Sequence, residues 1–249
     1  MPAFGSFVLP AALATAAVFI YYGVLIRWCG RLSVPLVDRL GLARHHPRHD
    51  AEAVLRLGVN GGSQALFLAV FLLLTGVPLA RAIGPLPAPA LVLMGVLLGV
   101  GEMGLAAFLS NAAVHALIRV APGKVPPTME GWLAAARGGW MREYLRAIEI
   151  ASLPAAVVIT AVYVSVEEIV FRGVLIPYLL PWGAGLAVAV STLLFGAVQC
   201  IHTPSWAAAL FPLVGALVMG TVHGLLFLAV PSIVPLVVAH LVFFFAAVL

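Results

Sequence analysis

The chain has 249 residues, 63% of them hydrophobic and only 9% charged, with a formal net charge of +4 and a mean hydropathy of +1.15. A soluble domain carries about 25% charged residues, so this composition cannot cover a water-facing surface; it excludes a soluble enzyme, a nucleic-acid-binding module and a disordered chain. Several apolar runs exceed the ~20 residues that cross a bilayer as a helix, which makes the chain a polytopic membrane protein partnered by lipid.

The opening residues MPAFGSF lack the basic start of a signal peptide, and no small-residue cleavage site follows, so the first apolar stretch, 4–26, is expected to be a retained span. A basic connection comes next, with Arg27, Arg31, Arg39, Arg44, Arg48 and Arg56. Its run RHHPRHD holds His45, His46 and His49; a solvated loop explains this run better than a metal site. Spans two and three are expected over 57–79 and 87–118, the latter carrying Glu102 and ending near His115. A second basic connection contains Arg119, Lys124, Arg137, Arg142 and Arg146. Two spans separate these connections, so both lie on one face, which the positive-inside rule makes cytoplasmic. The N-terminus is then outside and the C-terminus inside.

Residues 129–149 mix Trp132, Trp140 and Tyr144 with arginines and predict a cytoplasmic interfacial helix, interrupted at Gly138-Gly139. Four further spans follow, over 153–180, 184–203, 206–229 and 231–249, with Trp182 and Trp206 placed as interfacial aromatics. The runs are continuous rather than the ~10-residue alternating strands of a membrane barrel, so the fold class is all-α, with about seven transmembrane helices. The pairs Gly95/Gly99 and Gly220/Gly224 have the spacing that permits close helix contact. Cys29 and Cys200 lie on separate apolar segments and suit small buried hydrophobes. Residues 1–150 are expected to form an N-terminal membrane region and 151–249 a core carrying the chemistry.

Ionisable groups in hydrocarbon are costly and point to function. Glu167, Glu168 and Arg172 share one span in SVEEIVFRGVLIPYLL. Glu168 and Arg172 are i,i+4 neighbours with the acid N-terminal, the better orientation for an ion pair. Glu167 is rotated by about 100° and points elsewhere, as a general base facing a wet cavity would. A purely architectural ion triad is the other reading. Further polar groups in the spans are Glu102, Gln199, His202, His223 and His240. Glu167 lies 13 residues from the outer end of its span at Leu180, Gln199 lies 15 from Ala184 and His240 nine from Pro231. At 1.5 Å per residue the three depths agree within about 10 Å, near mid-bilayer. His202 lies nearly one turn deeper than Gln199. His223 suits a hydrogen-bonded core histidine, and Glu102 divides evenly between a site role and a packing ion pair with Arg172.

The run EEIVFR (Glu167–Arg172) matches EExxxR, FGAVQ (Phe195–Gln199) has the frame of FxxxH, and AHLVFF around His240 has the frame of HxxxN/D. In this order, over about residues 150–249, the chain resembles the CAAX proteases and bacteriocin-processing enzymes (the CPBP or Abi family), with a narrower likeness to myxosortases. The resemblance implies a glutamic intramembrane endopeptidase acting on a peptide or protein, such as a C-terminal sorting signal or prenylated-type tail. By the same resemblance Glu167 activates water, Glu168 and Arg172 support it, and His240 stabilises the oxyanion. Two departures stand out. Gln199 replaces the family histidine and Phe244 the Asn or Asp; glutamine donates a hydrogen bond but exchanges no proton near neutrality. His202 or Glu102 is the candidate substitute. No metal or other cofactor is expected, and HExxH is absent. The Ala/Arg/Gly-rich composition is compatible with a bacterial plasma membrane. A non-cleaving relative that binds peptide or confers bacteriocin immunity is the alternative, followed by a small proton-coupled transporter, against which the lack of an inverted repeat argues.

Overall fold

The computed structural model describes residues 4–44, 47–137, 153–201 and 203–248, which form helices and turns with no strand among them. Every apolar segment expected to span the membrane is helical. Helix α1 (Phe4–Ile20) continues through a π-helical turn, Tyr21–Leu25, into α2 (Ile26–Arg31), and a bend at Leu32 leads to α3 (Ser33–Arg39). At the bend the buried Ser33 hydroxyl donates to the Gly30 carbonyl at 2.7 Å, occupying a backbone acceptor that the turn would otherwise leave bare.

Helix α4 (Arg48–Thr75) begins earlier than the expected 57. Its polar first turns are held by Arg48, which bridges Asp38 of α3 at 2.9 Å and Glu52 at 3.1 Å. Ala51, Ala53 and Leu57 are buried there, since α4 packs along α2 and α3. Hydropathy marks only the apolar length; these first turns are fixed by protein contacts. A left-handed Gly76 (φ 67°) ends α4, its N–H donating to the Leu72 carbonyl.

The chain continues through α5 (Leu79–Ile83), α6 (Pro89–Val120) and α7 (Met129–Arg137). Helix α8 (Leu153–Glu168) runs into a π-helical stretch, Ile169–Leu175, and then α9 (Ile176–Leu179). Helices α10 (Ala184–Cys200), α11 (Trp206–Ala229) and α12 (Val234–Val248) complete the described chain. Val8–Arg39, Arg48–Thr75, Pro89–Val120 and Trp206–Ala229 are long and apolar enough to cross a membrane, while Ala184–Cys200 and Val234–Ala247 are shorter apolar helices. This is an all-α polytopic membrane protein.

The main core surrounds the π-helical stretch, where Val170, Phe171, Val174 and Leu175 have no exposure. A π-helical turn breaks the regular i→i−4 pattern, and here the Ser191 hydroxyl of α10 donates to the Phe171 carbonyl at 2.7 Å. Both glycine pairs sit at close helix contacts. A Cβ on Gly95 or Gly99 of α6 would collide with the Pro235 or Ala239 carbonyl of α12, and one on Gly220 or Gly224 of α11 with Thr192 or Val188 of α10. Glu102 follows Gly99 by about one turn and His240 follows Ala239 directly, so the α6–α12 contact brings the two polar residues to one level.

Helix α7 starts where the interfacial helix was expected, but its tryptophan is covered by protein. Trp132 is fully buried against Val114 and Ala207, donates from its indole to the Pro126 carbonyl at 2.9 Å, and meets Trp206 edge-on at 5.5 Å. The remainder of that expected helix, with Gly138, Gly139, Trp140, Arg142, Tyr144 and Arg146, lies outside the described residues, as do His45 and His46.

Candidate active site

The i,i+4 pairing in EEIVFR forms as the spacing predicts. Arg172 Nη1 donates to Glu168 Oε1 at 3.4 Å, with both side chains fully buried. The Arg172 guanidinium also lies over the Phe195 ring at 4.4 Å, a cation–π contact worth about 2 kcal/mol when desolvated. Its Nε and Nη2 make no hydrogen bond among the described residues, so the aromatic face is a substantial part of what surrounds this charge.

Glu168 is the hub of a larger cluster. His240 Nδ1 of α12 lies 2.8 Å from Glu168 Oε1 in hydrogen-bond geometry. Facing a carboxylate oxygen, Nδ1 carries the hydrogen, which leaves Nε2 as the ring nitrogen available to anything else. The other carboxylate oxygen, Oε2, faces His223 Nδ1 of α11 at 3.1 Å, and His223 Nε2 faces Glu102 Oε2 of α6 at 3.2 Å. These last two contacts are at ion-pair distance but are not aligned as hydrogen bonds. Glu102 is 3% exposed, His223 and Glu168 0%, and His240 8%.

Glu167 stays out of this cluster, as its rotation on the helix requires. It lies against the Gln199 side chain in a hydrogen-bond contact. Glu167, Gln199 and His240 all line one cavity of about 560 Å³, so the depth comparison along three separate spans brings together the right residues. The cavity runs from this polar end past Asn60 and Gln64 of α4 and Asn111 of α6 to Met129, Leu133 and Ala136 of α7. Its walls are mostly apolar, the usual character of a ligand site with a few convergent polar groups.

The partner of Glu102 is His223, rather than the Arg172 offered as its packing partner. His223, read as a hydrogen-bonded core histidine, is fully buried and joins two carboxylates. Phe244, where the family motif has Asn or Asp, is 5% exposed and lines the cavity beside Phe243. His202 lies outside the described residues. Sequence reasoning passed over Asn60, Gln64 and Tyr163 of the cavity wall; the available signal was uncharged polar side chains inside expected spans. Among the described residues no three His, Cys, Asp or Glu side chains are grouped to hold a metal ion.

Residues 148–246 match the family described as type II CAAX prenyl endopeptidase, Rce1-like. The matched segment contains EEIVFR, Gln199, His223 and His240, whereas Glu102 and the α4 wall of the cavity precede it. No curated protein and no solved structure matches the chain.

Proposed function

We propose that this chain, which belongs to the CAAX protease family through residues 148–246, is an intramembrane endopeptidase of the glutamic type with Glu167 as its base. The observation that carries the reading is the meeting of Glu167, Gln199 and His240 at one end of a single cavity. In this reading a water beside Glu167 gives its proton to that carboxylate as its oxygen attacks the substrate carbonyl. The Gln199 amide donates to the oxyanion, and His240 does so through Nε2 when the ring carries its second proton, with Glu168 balancing the charge behind it. The C–N bond then breaks, and the proton held by Glu167 passes to the leaving amine, giving a new carboxyl terminus and a free amine.

The substrate is a membrane-associated peptide or protein, such as a C-terminal sorting signal or a prenylated-type tail. With the basic connections on the cytoplasmic face of a bacterial plasma membrane, the cavity extends from mid-bilayer toward that face, where α7 borders it. In proteoliposomes carrying a cleavable tail, Glu167→Gln should abolish cleavage while leaving expression and thermal stability intact. Equal turnover by the variant would remove the enzyme reading.

One observation favours a second reading, a relative that binds peptide without cutting it. Phe244 puts an apolar ring on the cavity wall one turn after His240, where the family pattern has a polar side chain. The double substitution Gln199→His with Phe244→Asn distinguishes the two. A gain of tenfold or more over a weak parent, on the order of one added hydrogen bond to the reacting atoms, marks a degenerate site; no gain over a brisk parent marks a working one.

A further inference from the structure

Glu102 and His223 are buried titratable side chains that the cleavage steps above do not use. Neither lines the cavity, so neither touches substrate. They extend the Glu168 contacts in a single line across four helices: Glu102 Oε2 to His223 Nε2 at 3.2 Å, His223 Nδ1 to Glu168 Oε2 at 3.1 Å, and Glu168 Oε1 to His240 Nδ1 at 2.8 Å. Of the four, only His240 reaches the cavity.

The line has a mechanical meaning. The terminal torsion of a glutamate is broad and roughly two-fold, so Glu168 held through Oε1 alone keeps the freedom to rotate its carboxylate plane. His223 anchors Oε2. The His223 ring needs an anchor in turn, since a flip about its own axis exchanges what each edge presents; Glu102 supplies it. Both His223 nitrogens face carboxylate oxygens, which is attractive at both ends only when both carry hydrogens. The fixed Glu168 plane keeps a carboxylate oxygen opposite His240 Nδ1, which sets the tautomer of His240 in the way a buried acid orients a catalytic imidazole. This support matters more where Phe244 offers no polar group beside His240.

We propose that Glu102 and His223 are positioning residues, which fix the Glu168 carboxylate and so hold His240 in the tautomer that leaves Nε2 to the cavity. The catalytic consequence rests on the endopeptidase reading; the tautomer does not. The test is therefore ¹⁵N-histidine NMR of the full chain in nanodiscs, with His240→Gln identifying the signals of that ring. Wild type should show a hydrogen on His240 Nδ1, and Glu167→Gln should show the same while losing cleavage. Glu102→Gln and His223→Gln should each turn the His240 signal into a mixture of tautomers. An unchanged signal in either folded variant overturns the proposal, whether or not any substrate is cut. On a cleaved substrate each variant should lose about 100-fold in kcat, the scale of a small misplacement of a reacting group, with KM within about twofold. The double variant should be no worse than the singles, because both act through one line; multiplied losses would overturn it. A wild type that cuts nothing but shows these NMR changes removes the protease reading and leaves the positioning assignment standing.

Discussion

At the scale of single residues, the site depends on how a guanidinium is kept in hydrocarbon. Arg172 spends one nitrogen on Glu168 and presents its face to Phe195, which in turn meets the His240 ring edge-on at 6.0 Å. Phe195→Leu keeps an apolar side chain but removes the aromatic face. It should lower stability by about 2 kcal/mol, read as a fall in the thermal unfolding midpoint of the purified protein in detergent. A variant as stable as wild type would mean that the ring is only filler. The pairing within EEIVFR was legible beforehand because helix geometry alone fixes an i,i+4 contact. The partners of Glu102 and His223 were not, because their contacts join α6, α11 and α8, and no local spacing encodes which helices meet.

At the scale of elements, two devices set the site. The π-helical stretch after Glu168 places Arg172 in the core, with its Phe171 carbonyl held by Ser191; nothing in the periodicity of 153–180 distinguishes it from an ordinary helix. The glycine contact between α6 and α12 was legible as spacing, although the partner helix was not. Gly99→Val should push α12 away from α6 and cost about 1–3 kcal/mol through overpacking, with a loss of cleavage as Glu102 and His240 separate in level. Gly101→Ala is the control: a Cβ there meets nothing within 4 Å, and stability should hold or rise slightly. Equal behaviour of the two substitutions would remove the assigned role of the contact. The interfacial helix was half legible. Its apolar and polar faces are written in the sequence, but the cover over Trp132 comes from α6 and α11, which no single-segment reading supplies.

At the scale of the whole molecule, charge placement predicts orientation. In a chain with Cys29 and Cys200 changed to Ser, Leu86→Cys, in an exposed connection, should react with a membrane-impermeant maleimide on intact cells. Lys124→Cys, in the second basic connection, should react only after permeabilisation. The reverse pattern would invert the topology and move the α7 end of the cavity to the outer face. The seven helical segments were readable because continuous apolar length is a strong signal. The unity of the site was less so. The division expected near residue 150 falls among residues outside the description, and helices from before and after it enclose the same cavity.

That shared enclosure separates two jobs along the chain. The base and the histidine beside it come from the matched segment, while Tyr22, Asn60, Gln64 and Met103 of the opposite wall come from helices before it. Any tail entering the cavity is therefore sorted by side chains that can be exchanged without disturbing the residues that cut. Relatives with the same C-terminal motif and different preceding helices would then differ in what they accept and agree in how they cleave it.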